Sequence, residues 1–411
     1  MQKVVIDEPY EFVPPIYSDA WPSLLRYYLP HYLRSAYGVH SVECRHAERL
    51  KASLDAGHSI VLAPNHSRMA DPLVLGVLAV QTGCFLFAMA SWHAFKQSWF
   101  QTFMIRRMGA FSVLREGNDR QAIDTAIKIL IERKRPLILF PEGAVTRHND
   151  QLEELMEGPS FIARQAAKRL EKSSNPRQVV IHPVAIRYAF TGDVEAAVRP
   201  ALDEFEKRFT WQPQRHLSLV ERINNIGNAL LALKEIEFLG VPGTGNLFDR
   251  AEHLIDELLQ RLESTWSIKE SSGSVIARVK RLRTAILAGM ISGNVSPEER
   301  ERRWRDLAAA YYVQQISHYP RDYLHRTGNL PERIVETVER LEEDFTDKTL
   351  RFEPFQATIE VGEAIPVSSH RDRSAAGDPI IEEIKRQLQT MISGLVAERA
   401  ASLNLTNAPE S

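Results

Sequence analysis

The fold of this chain is decided by the stretch Ser59-Ile60-Val61-Leu62-Ala63-Pro64-Asn65-His66. Its first five residues form a short, almost entirely apolar run that follows Gly57, which is typical of a buried strand. Four further strand-like runs lie at 84–88, 109–113, 137–140 and 179–186. Apolar residues at helical spacing lie between them at 119–133 and 158–172. The alternation predicts an α/β layered domain, with a mostly parallel or mixed central sheet flanked by helices.

Beyond residue 196 the pattern changes. Charged segments with helical periodicity fill 197–350 and predict an all-helical insertion, which could mediate oligomer or partner contacts. Strand character returns at 357–361 and 365–367, and Asp378-Pro379 predicts the start of a last helix. We therefore expect a strand and a helix within 351–400, the helix capped by Asp378, to complete the domain of residues 51–196. Residues 401–411 are expected to form a flexible tail.

Residues 1–50 are rich in aromatic side chains interspersed with arginine, including Trp21, Tyr27, Tyr28 and Tyr32. This mixture fits a pair of helices at a membrane surface, broken near Pro30. The alternative is that the same aromatics pack on the main domain, because amphipathicity does not distinguish lipid from protein.

Net charge and cysteine content bear on the partners and the compartment of this protein. The formal net charge of the 411 residues is −2, which gives no global electrostatic case for a nucleic-acid partner. Cys44 and Cys84 are the only cysteines, so a disulfide framework is not expected and a reduced, cytosolic compartment is the simplest interpretation. The first residues lack the pattern of a signal peptide.

The segment 72–95 is nearly free of charge and could suggest a membrane span. However, Gln81-Thr82-Gly83 divides it into two unlike pieces, which favours a short buried helix followed by a buried strand.

The candidate chemistry begins with His66, at the carboxyl end of the first predicted strand. Ligands of open α/β sheets bind beyond the carboxyl ends of strands. Asp71 follows five residues later and could bond one imidazole nitrogen, which would leave the other free as a general base. Asp71 before Pro72 could also be no more than a helix cap. Since Gly-x-Ser-x-Gly is absent, the expected nucleophile is a substrate hydroxyl that attacks an activated thioester.

Four blocks in order resemble the glycerolipid acyltransferase family that includes 1-acylglycerol-3-phosphate acyltransferase. The first is the pattern Asn-His-x-x-x-x-Asp, present as Asn65, His66 and Asp71. The others are Gly109 to Arg115, Phe140-Pro141-Glu142-Gly143 and the strand Ile181 to Ile186, and 360–365 is similar to the family's closing strand.

The resemblance implies an O-acyltransferase of phospholipid biosynthesis. It would move a fatty acyl group from acyl-CoA or acyl-carrier protein to a lysophospholipid or glycerol-phosphate hydroxyl, with 1-acylglycerol-3-phosphate as the leading acceptor and no bound cofactor. The enzyme would be peripheral or monotopic on the cytoplasmic side of a membrane. His66 would be the base and Asp71 its orienter, Arg115 would bind the acceptor's phosphate, and Glu142 and Gly143 would bind or orient the acceptor.

One departure leaves the acceptor open. Val145 stands where the family has arginine, and Arg147 lies two residues later, on the same side of an extended segment. Arg147 could supply the missing cation, and Arg68 is a second candidate. Two alternative functions stay open: a lipid-surface scaffold that has lost activity, and a hydrolase in which His66 activates water. A metal site of His66, Asp71, Glu142 and His148 is not expected, because His-x-x-x-His and Cys-x-x-Cys spacings are absent.

Overall fold

A computed structural model describes residues 8–117, 119–132, 135–174, 176–291, 295–326, 330–346, 350–370 and 377–406. The chain divides into two compact units. The α/β unit consists of the described residues of 12–114, 119–192 and 351–411, and the helical unit consists of those of 1–11, 115–118 and 193–350.

The α/β unit is built on one mixed sheet. Its eight strands are β1 Val39–Arg45, β2 Ser59–Pro64, β3 Phe87–Ser91, β4 Ala110–Val113, β5 Leu137–Ile138, β6 Val179–Phe190, β7 Phe355–Val361 and β8 Ile365–Pro366. Their order is β1-β7-β6-β2-β5-β3-β4, with β8 paired to β6. The pairs β6–β7 and β6–β8 are antiparallel and the other neighbours are parallel, so the predicted fold class is confirmed.

Fourteen α-helices accompany the strands in the described part of the chain. Those before β7 are α1 Ala20–Leu25, α2 Leu29–Tyr37, α3 Ala47–Asp55, α4 Asp71–Thr82, α5 Trp99–Arg107, α6 Arg120–Glu132, α7 Gly158–Glu171, α8 Val194–Glu206, α9 Leu219–Leu239, α10 Leu247–Thr265, α11 Val275–Ile291, α12 Pro297–Ser317 and α13 Pro331–Thr346. The last is α14 Pro379–Thr406. Short 3₁₀ helices lie at Trp92–Phe95 and Tyr323–His325.

The two central strands explain why this sheet is stable. Every residue of β2 is buried, as are all but one of the residues of β6, because helices cover both faces of a parallel sheet. One face packs on α6, α7 and α14, and the last of these contributes a stripe with helical spacing: Ile381, Ile384, Leu388, Ile392 and Leu395.

Several boundaries differ from the sequence-based expectations. The strand predicted at 84–88 begins only at Phe87, and residues 401–406 continue α14 where a flexible tail was expected. The strand β1 within the segment 1–50 was not predicted. Its apolar residues are interrupted by polar ones without strict alternation, and it pairs with β7, more than 300 residues away in the chain, so local sequence carries little signal for it. Pro30 lies in the first turn of α2. The interruption between α1 and α2 therefore comes before Pro30 and not at it.

The segment 72–95 divides as expected into most of α4 and then β3. Among the described residues, no helix combines the length and apolar character needed to cross a membrane.

In the helical unit, the described residues from 193 to 350 form helices and connecting turns. Apolar side chains of α10, α11 and α12 make its core, centred on Leu258, Leu282 and Ala310. The helix α8, which the sequence pattern did not reveal, bonds to α9 through the buried Arg222: its Nη2 lies 2.7 Å from both Asp203 Oδ1 and Glu206 Oε2. This geometry is that of a charge-assisted network.

Candidate active site

The site begins where β2 ends, at Asn65. The Asn65 side chain bonds to β6 as a strand backbone would: Nδ2 donates to the Ile186 carbonyl at 3.0 Å, and Oδ1 accepts from the Ile186 N–H at 2.7 Å. Asn149 makes the same pair of bonds with the backbone of Tyr188, at 2.9 Å each. These amides satisfy the backbone of β6 at the point where its neighbour turns away. The result is a fixed starting point for the segment that carries His66.

The predicted pair of His66 and Asp71 is formed. His66 Nδ1 lies 2.8 Å from Asp71 Oδ2. The turn at 65–70 brings Asp71, the first residue of α4, back under the imidazole. Asp71 is not the N-cap of α4, because Ala70 occupies that position and no side chain caps the helix, so the helix-cap alternative is wrong.

Asp71 is fully buried and receives two further hydrogen bonds. The Arg68 backbone N–H donates to Oδ2 at 3.0 Å, and the Tyr188 hydroxyl donates to Oδ1 at 2.6 Å. Burial, followed by the charge of Asp71, raises the pKa of Tyr188 well above its ordinary value, so this hydroxyl stays a donor at physiological pH. Sequence reasoning missed Tyr188, since it lies 117 residues from Asp71.

The contact between His66 Nδ1 and Asp71 determines which nitrogen of the neutral imidazole carries the proton. A carboxylate only accepts hydrogen bonds, so Nδ1 of His66 carries the proton toward Asp71 and Nε2 is left with its lone pair. In the described part of the chain, no side chain or backbone group bonds to Nε2. The ring also stacks on Phe140, with ring centroids 3.9 Å apart and an interplanar angle of 20°. The ring is thus held on one edge and one face, with the reactive nitrogen available.

Glu142 and Thr146 hold the backbone of His66 on both sides. Its N–H donates to Glu142 Oε1 at 2.7 Å, and its carbonyl accepts from the Thr146 N–H at 2.8 Å and from Thr146 Oγ1 at 3.1 Å. The other oxygen of Glu142 accepts from the Glu153 N–H at 2.9 Å. Burial raises the pKa of Glu142 to about 7, against the lowering effect of these two N–H donors.

Glu142 is therefore a positioning residue in this structure. It is 1 % exposed and both of its oxygens are occupied by backbone donors. A role in acceptor binding stays a prediction. Gly143 allows the turn that follows: its φ is +70°, and a Cβ there would lie 2.5 Å from the Met156 Cε.

Two of the three candidate cations lie in the α/β unit. The Arg68 guanidinium carbon is 4.1 Å from the ring centroid of Phe355 and 5.4 Å from that of Tyr188, which is a cation–π arrangement. Arg147 is half-buried and has φ +65°. The segment is therefore not extended there, and the argument that alternation places Arg147 on the side of Val145 is wrong.

Arg115 belongs to the helical unit by its contacts. Burial, followed by the nearby charge of Arg283, lowers its pKa to about 10, while Glu116 acts in the opposite direction. Arg283 itself forms an ion pair with Glu116. A role for Arg115 in binding phosphate stays a prediction.

The arrangement can remove a proton from a hydroxyl that approaches Nε2. Within the described residues, neither a serine nor a cysteine bonds to that nitrogen, and the neighbouring Ser67 is only 1 % exposed. Among the residues that the structure describes, no serine or cysteine is therefore in place to form an acyl-enzyme intermediate with His66 as its base. The geometry instead suits direct attack by a substrate hydroxyl or by water.

In a comparison with known protein families, residues 41–187 match the family described as Acyltransferase. Among proteins of curated function, none matches the chain. The matched range runs from β1 into β6 and contains every predicted site residue, while Tyr188 lies one residue beyond it. The family predicted from the four blocks is confirmed for this segment, and acyl transfer is the general activity that it supports.

Proposed function

Since residues 41–187 carry the sequence of the acyltransferase family, we propose that this chain moves a fatty acyl group from an acyl-CoA or acyl-carrier-protein thioester to a glycerolipid hydroxyl. The leading acceptor is 1-acylglycerol-3-phosphate. The observation that carries the proposal is the oriented His66, with Nδ1 bonded to a buried carboxylate and Nε2 available.

The proposed reaction has one base and no covalent enzyme intermediate. Nε2 of His66 takes the proton of the acceptor hydroxyl as its oxygen attacks the thioester carbon. The imidazolium that forms is stabilised by Asp71, in the manner of the base and orienter of a catalytic triad. The carbon–sulfur bond then breaks, and the thiolate leaves with little need for acid, because a thiol has a pKa of about 8.5. The imidazolium returns its proton to the thiolate, so the products are an ester and a free thiol.

The proposed acceptor class depends on three candidate cations. Arg147 and Arg68 lie in the α/β unit and could pair with an acceptor phosphate, and Arg115 is the third candidate. A panel of acceptors with and without phosphate, tested with one acyl-CoA donor, would check this class. Acyl-carrier protein as donor would be compared in parallel. A preference for acceptors without phosphate would contradict the choice of 1-acylglycerol-3-phosphate.

The activity is tested by measuring thiol release together with lipid products. We expect His66→Ala to abolish both, and His40→Ala, a partly exposed histidine of β1, to leave both unchanged. Free fatty acid without any acylated lipid would show a hydrolase instead. No thiol release from the unaltered protein with any acceptor, and no loss in His66→Ala, would contradict acyl transfer and favour the alternative of a lipid-surface scaffold.

A further inference from the structure

The helical unit contains a cavity of about 110 Å³. Its wall is formed by side chains of α9, α10, α12 and α13 and of residues 319–325, so all of the lining residues lie in the helical unit. Among the described residues that line it, none belongs to the candidate active site. The proposed reaction therefore does not use this space.

Apolar side chains make most of the wall of the cavity. Ile223, Leu231, Ile316 and Leu341 line it and are buried, and Phe248 adds an aromatic ring. Protein interiors contain few voids that are larger than a water molecule. An apolar cavity of about 150 Å³ in another protein stays dry and holds benzene, so the space in this unit suits one ring or a short alkyl group.

The charged groups of the wall are already engaged within the protein. Asp344 accepts from the Tyr319 hydroxyl at 2.6 Å and from Gln315 Nε2 at 3.1 Å. Arg340 donates to the His318 carbonyl, and its guanidinium carbon lies 5.2 Å from the ring centroid of Tyr319. In the described part of the wall these are the one carboxylate and the one guanidinium, and their formal charges cancel. A charged ligand would lose its hydration without gaining a free counter-charge, so the wall favours a neutral ligand.

Two polar side chains of the wall have hydrogen-bonding capacity to spare. The Asn224 amide and the Tyr312 hydroxyl are half-buried and make no hydrogen bond with the residues that the structure describes. Burial, followed by the charge of Asp344, raises the pKa of Tyr312, so its hydroxyl stays protonated and can both donate and accept. A mainly apolar wall with a few available polar groups is the usual composition of a small-molecule site.

We propose that this cavity binds a small neutral molecule that has a compact apolar body and one hydroxyl group, about the size of phenol. The apolar body fills the space between the helices, and the hydroxyl bonds to Tyr312 and Asn224. The exposed His325 is among the lining residues, so the cavity reaches the surface there. Binding at this site requires neither His66 nor an acyl donor, and the proposal therefore stands or falls independently of the proposed function.

The test is isothermal titration calorimetry of the full chain with phenol, toluene and benzoate, which share one aromatic ring. We expect phenol to bind about fivefold more tightly than toluene, because only phenol can hydrogen-bond to the wall. Benzoate should bind at least about tenfold more weakly than phenol, because its charge would be desolvated without a free cation. In Tyr312→Phe, the affinities for phenol and toluene should come within about twofold of each other.

Two variants reduce the cavity from different helices. Gly227→Ala on α9 adds a Cβ that would lie 3.5 Å from Leu247 Cδ2, an ordinary contact, and Ala251→Leu on α10 adds a larger side chain. We expect phenol to bind about threefold more weakly to Gly227→Ala and at least about tenfold more weakly to Ala251→Leu, because less apolar space is left. Gly394→Ala is the matched control for Gly227→Ala, since it lies inside α14 and its added Cβ would meet nothing within 4 Å. This control should bind phenol as the unaltered chain does.

Three outcomes would overturn the proposal. No binding of phenol by the unaltered chain would show a cavity that holds only water. Equal binding by the unaltered chain, Gly227→Ala and Ala251→Leu would show that phenol binds elsewhere. An equal affinity for phenol and toluene in the unaltered chain would refute the role of the hydroxyl group. Thermal unfolding of each variant checks that its fold is intact, and if Ala251→Leu is unfolded, the comparison of Gly227→Ala with Gly394→Ala decides.

Discussion

The Tyr188 hydroxyl provides the sharpest test of how Asp71 is held. Tyr188→Phe keeps the ring and its edge contact with Phe355, whose centroid is 6.5 Å away, and removes only the 2.6 Å bond to Asp71 Oδ1. Both residues are fully buried, so water cannot easily replace the lost donor.

The expected magnitude follows from the charge of the acceptor. A hydrogen bond to a charged group contributes about 1.5–3 kcal/mol, so we expect the free energy of unfolding to fall by about that much. If half of the loss is felt in the transition state, kcat/KM falls about three- to tenfold, since 1.36 kcal/mol is about tenfold in rate. With one donor fewer, the carboxylate should attract the Nδ1 proton of His66 more strongly. The acidic limb of the pH–rate profile should therefore shift to higher pH.

The assay is thiol release from acyl-CoA as a function of pH, together with unfolding in denaturant. Tyr319→Phe is the control, because its hydroxyl donates to Asp344 at the same 2.6 Å but lies in the helical unit. If Tyr188→Phe loses stability as the control does, while its rate and acidic limb stay unchanged, Tyr188 is structural only and the reasoning is refuted.

Three further predictions follow from the same structure. Asp71→Asn should lower kcat by about three to four orders of magnitude, because an amide in place of the carboxylate favours the wrong tautomer of the histidine base. A kcat within about tenfold of that of the unaltered enzyme would contradict the assigned tautomer of His66. Glu142 has a folded pKa of about 7, raised above its ordinary value by burial, so its stabilising contribution is complete at low pH and is lost as pH rises through 7. Relative to Glu142→Gln, the unaltered chain should therefore lose about 2 kcal/mol of unfolding free energy between about pH 5.5 and 8, and a difference that does not vary with pH would refute the shift. Asp378→Ala should destabilise the fold by about 3–5 kcal/mol in denaturant, because it leaves Arg164 buried without its two 2.5 Å bonds, and Arg164→Leu added to it should recover part of the loss.

The fold class was readable from sequence because its signals are local. A strand buried on both faces must be a short apolar run, and β2 and β6 are such runs. The long helices of the helical unit were readable for the same reason, since their spacing repeats over many residues. Where burial was partial, as in β1, the run was broken by polar residues and the strand was missed.

In the candidate site, too, some features follow from local sequence and others from the tertiary structure. The sequence by itself determined that a histidine and an aspartate stand five residues apart after a buried strand, and this spacing allows the 2.8 Å contact between His66 and Asp71. Only the tertiary structure decided what surrounds them: Tyr188 on the second carboxylate oxygen, Glu142 and Thr146 on the backbone of His66. Those partners come from strand ends and loops that are 76 to 117 residues away in the chain. Hydrogen bonds across a sheet are set by strand order and register, which local sequence patterns do not encode.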